Sequence, residues 1–422
     1  MLPTKGYQDQ VVSKENNNVM RMILVLVLGC SIGDIVAAAN PDVSSTRKVL
    51  FFDLWKLDYC DNVALNQGEP QFLGDLTYID PVDPKNGVYF PSVWRDETTG
   101  KWRLVYSVKW SPFTLMAAES LDGLRWRPLP VEDAQPEGGK IAAHHIFTLP
   151  HGEGGAVYCD PQKTNGLAFR IFARQRGTPV ANRARLDPRH RWHSVVKNEG
   201  DKRYVHEGVT LVSKDGLHWS LRHGGRWNWH QDDWAPEPPV FAFWNATLEQ
   251  HTMLVRPGWG DRRQCIRTTS DLLSWTDPRL IFQPDALDSV SPIGFYGMPT
   301  KRVGNGAGYV GLLWVFRNSS SEPVESFNQF FGTMDNELTF SYDGVRFTRT
   351  LRQPFLKLNP MPEYGCAQIR TCSFVERDDD VLIYSEGHRA EHGREGKEQS
   401  ASSETLCGMI IHKLRKDGWM YL

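Results

Sequence analysis

Short apolar runs bounded by turn formers recur from about residue 86 to the end of the chain. Trp102-Arg-Leu-Val-Tyr106 and Leu115-Met-Ala-Ala118 lead into Ser120-Leu-Asp-Gly-Leu-Arg-Trp126. Phe169-Arg-Ile-Phe172 and Val209-Thr-Leu-Val212 lead into Ser213-Lys-Asp-Gly-Leu-His-Trp219. The same ending returns as Thr269-Ser-Asp-Leu-Leu-Ser-Trp275, as Ser341-Tyr-Asp-Gly-Val-Arg-Phe347 and, clipped, as Lys416-Asp-Gly-Trp419. Runs of this length, alternating or continuously apolar, predict strands rather than helices. In each ending the aspartate can accept hydrogen bonds from backbone N–H groups further on. The glycine supplies a backbone conformation other residues avoid, and the aromatic returns to the apolar side.

The pattern resolves into five units, at about 86–130, 141–224, 232–283, 294–353 and 363–422. Their expected innermost strands are Val88–Val93, Ile146–Leu149, Val240–Phe243, a segment led in by Tyr296–Pro299, and one led in by Gln368–Thr371. A long polar insertion occupies 175–205 of the second unit. The turn aspartates Asp122, Asp215, Asp271, Asp343 and Asp417 lie 93, 56, 72 and 74 residues apart. Such spacing means loop insertions on a constant core. The expected fold is all-β: one five-bladed β-propeller domain over 40–422, built of four-stranded antiparallel blades, with Lys48–Phe52 as a closing strand. Propellers leave only short, protected sheet edges. A β-sandwich would explain the strands but not one turn motif per unit.

Composition narrows the partners. The formal net charge is −2 and the chain holds 15 Trp, 36 Gly and 26 Pro. No basic surplus points to nucleic acid, and abundant aromatics suit tight turns and sugar stacking alike. Residues 1–39 read as a signal peptide with a long polar lead. Arg21 precedes the apolar run Met22–Leu28, and Ala37-Ala38-Ala39 offers a cleavage site. That run is short and followed by Gly29, Gly33 and Asp34, so no stable membrane insertion is expected and the protein is placed outside the cytoplasm, secreted or periplasmic. Beyond the signal, Cys60, Cys159, Cys265, Cys366, Cys372 and Cys407 permit disulfides without assigning them. No CxxC pair suggests structural zinc, and no metal ligands are named from sequence. Asn245-Ala-Thr247 and Asn318-Ser-Ser320 are glycosylation sequons.

A unit ending in S-x-D-G-x-x-W after a strand like Gly100–Tyr106 resembles the five-bladed propellers of glycoside hydrolase families 32 and 43. The stretch Ala235–Asn245, with Arg256–Arg263 and Phe295–Pro299, is similar to a bacterial branch of that superfamily. The resemblance spans roughly 48–422. It implies hydrolysis of a furanoside such as a fructoside or arabinoside. It also allows a structural calcium ion in the axial channel, with no other cofactor. The W-M-N-D-P-N signature of the invertase type is absent, and Asp53 in Phe51-Phe-Asp-Leu-Trp55 is its nearest analogue. Bacterial sialidases share a similar aspartate turn, but they use six blades and three arginines that grip a carboxylate.

Glycoside hydrolysis requires two carboxyl groups across the bond. In a propeller these belong at the axial mouth, near the leading ends of inner strands. Asp232-Asp233-Trp234-Ala-Pro-Glu237 combines acids with a stacking ring, which makes Asp233 and Glu237 the first catalytic candidates. Glu386, in Tyr384-Ser-Glu-Gly-His388, is the third. Asp53, His145, Trp234, Arg256, Asp261 and Arg262 are the expected substrate contacts. Adjacent His144 and His145 on one strand point oppositely and do not readily share an ion. Trp94, Trp110, Trp229 and Trp259 could stack on sugars or plug the core. The expectation is therefore an exported glycoside hydrolase acting on an oligo- or polysaccharide. The alternative is a noncatalytic carbohydrate-binding propeller, and convergence of two carboxylates across one pocket separates the two.

Overall fold

The computed structural model describes residues 50–55, 57–83, 85–179, 195–199, 202–222, 237–256, 262–288, 293–320 and 331–422. The signal segment therefore lies outside the described residues, as do Asp233, Trp234, Asp261, Trp229 and Trp259. Across the described residues the chain is built of strands in several sheets, antiparallel except where Gly332–Ser341 meets Gln368–Arg377 in parallel, with one short α-helix, Glu395–Ala401.

The third unit is the plainest. Glu237–Asn245, Gln250–Arg256, Gln264–Thr269 and Arg279–Phe282 form one four-stranded sheet in sequence order. The first unit holds Tyr89–Arg95, Trp102–Ser107, Phe113–Ser120 and Arg127–Pro128. Here one expectation is overturned. His145–Leu149 does not begin the second unit but pairs with Phe113–Ser120 of the first, Phe113 opposite Leu149. The inner strand of the second unit is Val157–Cys159, paired with Phe169–Pro179. Its polar insertion is partly strand, since Phe169–Pro179 and Lys202–Ser213 continue as one long hairpin to Pro179 opposite Tyr204.

The closing strand also differs from expectation. Residues 50–52 form no strand; Leu50 and Phe52 plug the fourth unit, with Phe52 stacked on Phe340 at 4.1 Å. The outer edge of the fifth unit is completed instead by Gln71–Phe72 against Cys407–Arg415, and Asn66–Gln67 pairs with Met420–Tyr421. Segments from the two ends of the described chain thus satisfy each other's open edges.

Five apolar clusters join the units. Leu115 packs with Ile171, Phe172 with Trp275, Leu254 with Leu313, and Leu312 with Ile383, linking each unit to the next. Tyr106 and Met116 pack with Tyr384 and Ile411, which returns the contacts from the fifth unit to the first. Each fully buried residue of this kind contributes roughly 1.5–3 kcal/mol.

The repeated turns do the same work at four places. Asp122 accepts the N–H groups of Leu124 and Arg125 at 2.8 and 2.9 Å. Asp215, Asp271 and Asp343 repeat this bond pair. The preceding Ser120, Ser213, Thr269 or Ser341 donates its hydroxyl to the aspartate. Burial opposes ionisation of these carboxyls, and the backbone donors overcome it. Asp122, Asp271 and Asp343 are held below the usual range, and Asp215 is lowered to about 2. Gly123, Gly216 and Gly344 take φ of 75°, 82° and 69°; Leu272 takes 60° in the one turn without glycine. The turns then dock on a neighbour: Tyr384 donates to the Gly123 carbonyl at 2.8 Å, and Asn245 to that of Asp343 at 2.8 Å. Asn245 is fully buried by this contact, which leaves its sequon inaccessible in the fold. The clipped turn departs from the pattern, since Asp417 is paired with Arg415.

Candidate functional site

A cavity of about 530 Å³ is lined by residues of all five units. Tyr89 and Trp110 come from the first, Glu153 and Arg174 from the second, and Pro238, Pro239, Arg256 and Arg262 from the third. Tyr296 and Trp314 come from the fourth, and Arg370, His388, His392, Glu395 and Cys407 from the fifth. A second cavity of about 320 Å³ is lined by Val93, Val157, Phe241, Lys301 and Ser373, again one stretch from every unit. Its described lining includes Arg95, Lys301 and Arg302 and no carboxylate. Calcium takes six to eight oxygen ligands, carboxylates foremost, so this lining does not suit the calcium ion that the resemblance allowed.

The wall of the larger cavity carries one continuous polar network. Arg262 donates to the Tyr296 hydroxyl, which donates to His392 Nε2 at 2.6 Å. His392 Nδ1 donates to Glu395 Oε1 at 3.0 Å. Arg370 pairs with the same Glu395 oxygen at 2.7 Å and lies 3.6 Å from Glu386 Oε2. Glu386 Oε2 accepts from His388 Nε2 at 3.0 Å. Arg256 donates to the Pro238 carbonyl, and its guanidinium lies 4.5 Å from the centre of the Tyr296 ring. On the second unit Arg174 pairs with Glu153 at 2.6 Å, directly opposite it in register.

The local chain explains these placements. Glu386 and His388 close the strand Asp380–His388, two residues apart and therefore on one face. Past Ala390 the chain turns and begins the short helix with Glu395. In the first unit a bulge between Tyr89 and Ser92 leaves Phe90 at φ 54°, which aims its N–H at Glu386 Oε1, 2.8 Å away. Left-handed backbone is unusual for a bulky side chain.

These surroundings set the charge states. Burial works against ionisation of Glu395, but His392 and Arg370 hold its carboxyl far below the usual range. Burial lowers both His388 and His392, leaving the imidazoles neutral near pH 7. Burial, reinforced by Glu386, pushes the Cys407 thiol well up. Glu395 is thus held as a carboxylate that suits a cationic centre and does not donate a proton. Tyr89, Trp110, Tyr296 and Trp314 line the same space, with Arg256 and Arg262 over the Tyr296 ring.

Of the residues named from sequence, Arg256 and Arg262 line the cavity, and Glu386 lies behind its wall, fully buried. Glu237 begins its strand opposite Arg256, and the next two residues, Pro238 and Pro239, line the cavity. His145 is not brought there; its ring accepts from Ile141 N–H and contacts the Phe147 carbonyl and Thr148. Nor is Asp53, which accepts from Tyr342 at 2.8 Å beside the fourth unit's turn. Trp110 lines the cavity, whereas Trp94 lines the smaller one and packs on Phe169. Sequence reasoning misses Tyr296, Arg370, Glu395 and Cys407 as a group. Tyr296 and Arg370 read only as strand residues, although their places in lead-in segments to inner strands are a usable signal. All six cysteines beyond residue 39 are free thiols.

No protein-family model matches the chain, and no curated protein matches it. Solved structures do resemble it. One, a complex of BT0996 with RGII, superposes with a TM-score of 0.51 at 14% identity, over 82% of this chain and 92% of that protein. A GH130-family structure gives 0.48 at 13%, over 84% and 95%. A thermostable family-43 glycoside hydrolase gives 0.47 at 12%, over 82% and 95%. Glycoside hydrolases are thus among the structures that this chain is similar to, and at these identities the likeness is one of fold alone.

Proposed function

We propose that the protein is an exported, five-bladed β-propeller that binds a saccharide in the 530 Å³ cavity and hydrolyses a glycosidic bond there. The observation that carries this reading is the cavity itself. Every unit contributes to it, aromatic residues line it, and an ionised carboxylate, Glu395, stands in its wall beside two neutral histidines. Fold likeness supports this choice of chemistry and does not by itself assign it. In this reading Glu237 or Asp233 is the proton donor, because the strand that Glu237 begins runs directly into the cavity lining. Glu395 is the ionised partner. Glu386 acts behind the wall as a positioning residue, since Arg370, His388 and Phe90 N–H occupy its oxygens. Furanosides remain the first substrates to try, together with RGII, which is named with one of the similar structures.

One observation favours the noncatalytic alternative. Among the described residues the carboxylates that line the cavity, Glu153 and Glu395, are each paired with an arginine. The two readings separate on a panel of fructans, arabinans, xylans and RGII fragments. Reducing-sugar release by residues 40–422 is expected, and its loss in Glu237→Gln or Asp233→Asn would place the donor in that segment. Glycan binding without release from any substrate would establish the binding reading instead. N-terminal sequencing of the exported protein tests cleavage after Ala39.

A further inference from the structure

Glu386, His388 and Cys407 bring three atoms of metal-ligating type, a carboxylate oxygen, an imidazole nitrogen and a sulfur, to one place at the cavity wall. Cys407 starts the strand Cys407–Arg415 and stands directly opposite His388 in register. His388 Nε2 lies 3.0 Å from Glu386 Oε2 and 3.5 Å from Cys407 Sγ. The three donor atoms all lie within 4.8 Å of one another, and all three residues are buried. A single imidazole nitrogen carries at most one proton; here it serves Glu386, while the Cys407 thiol also reaches the Val88 carbonyl at 3.5 Å. A cation at the centre would serve all three. For zinc, with Zn–N about 2.0–2.1 Å and Zn–S about 2.3 Å, tetrahedral geometry separates nitrogen and sulfur by about 3.5 Å.

We propose that Glu386, His388 and Cys407 bind a divalent cation of the zinc class. The donor set selects it: thiolate and imidazole suit zinc, whereas calcium and magnesium require oxygen. Binding breaks the Cys407 S–H bond heterolytically and releases its proton to solvent, while the neutral His388 imidazole moves its own proton from Nε2 to Nδ1 so that Nε2 can ligate, with no change of oxidation state. Thiolate and carboxylate then balance the ion's two charges. The supporting shell is present, since Phe90 N–H fixes the other Glu386 oxygen and Arg370 is engaged by Glu395. Such outer contacts orient metal ligands. His388 and Cys407 line the cavity, and three protein ligands leave a coordination position for water or a substrate oxygen. No CxxC spacing marks this site, because its ligands come from two adjacent strands. The site is independent of whether the protein hydrolyses glycosides.

The test uses the whole mature protein, treated with a chelator and titrated with cobalt(II). A thiolate-to-cobalt charge-transfer band saturating at one equivalent, and lost on adding zinc, is expected. Cys407→Ser should abolish the band, whereas Cys265→Ser, which removes a buried thiol of the third unit, should keep it. His388→Gln, which preserves size, should weaken binding by at least about 100-fold. Circular dichroism confirms that each variant is folded. A folded wild type that gives no band and retains no metal by elemental analysis would overturn the proposal. So would a band that persists in Cys407→Ser.

Discussion

The outer turns and the cavity wall are built on opposite plans. The turns repeat: in four of the units one aspartate accepts the same two backbone N–H groups, one hydroxyl residue braces it, and one aromatic plugs the core. The wall does not repeat. Each unit gives it different residues, and the longest network, from Arg262 through Tyr296, His392, Glu395 and Arg370 to Glu386, draws on three units. Repetition holds a scaffold together because the same local problem, reversing a chain and burying an aromatic, recurs in each unit. Chemistry needs an asymmetric constellation, so it gathers where the repeat is broken.

Substitutions can test this division. The largest effect is expected at the wall. Arg370→Leu leaves the fully buried Glu386 without its cation and should cost about 3 kcal/mol or more in denaturant unfolding. Acid comes next and acts on the buried histidines and on the turns in different windows. Burial lowers His412 to about 4. Between about 6.5 and 4 the unfolded imidazole is protonated and the folded one is not, so stability should fall as pH drops through that range. His412→Leu should reduce this slope, leaving the part due to His388 and His392. The turn aspartates, held below their unfolded values, keep their contribution above about pH 4 and lose it as pH falls toward about 2. Asp343→Ala removes two backbone acceptor contacts and should cost about 1–2 kcal/mol without altering glycan binding. The smallest effect is expected at Leu121, 81% exposed at the variable second position of its turn. Leu121→Lys should stay within about 0.5 kcal/mol of wild type.

The same division explains how much was legible in the sequence. The turns and their strands could be read, because Asp-Gly and an aromatic at fixed offsets state a local geometry. The aromatic plugs Trp219, Trp275, Phe347 and Trp419 are buried as that reading required, whereas Trp126 of the first turn is only half-buried. Pairings between units were harder. His145–Leu149 is apolar and β-prone, and nothing local tells which side of the seam it joins. The edge-filling pair Gln71–Phe72 is too short and polar to stand out from loop. At the wall, Glu386 was legible because it lies near the end of a strand, and Arg256 because it precedes a Gly- and Trp-rich stretch of sequence. Cys407 was not, since its meaning depends on lying opposite His388 across a strand pair whose connection holds the helix. Glu395 looked like one more charge in a polar stretch until the chain brought it against Arg370 and His392.

The most direct test of function at the cavity wall compares one variant from each region in glycan hydrolysis, below the melting temperature of both. Asp343→Ala is expected to release reducing sugar at the wild-type rate, while Glu395→Gln loses release and keeps its fold. Hydrolysis that survives Glu395→Gln unchanged, or that falls equally in both variants, would contradict the placement of function at the cavity wall.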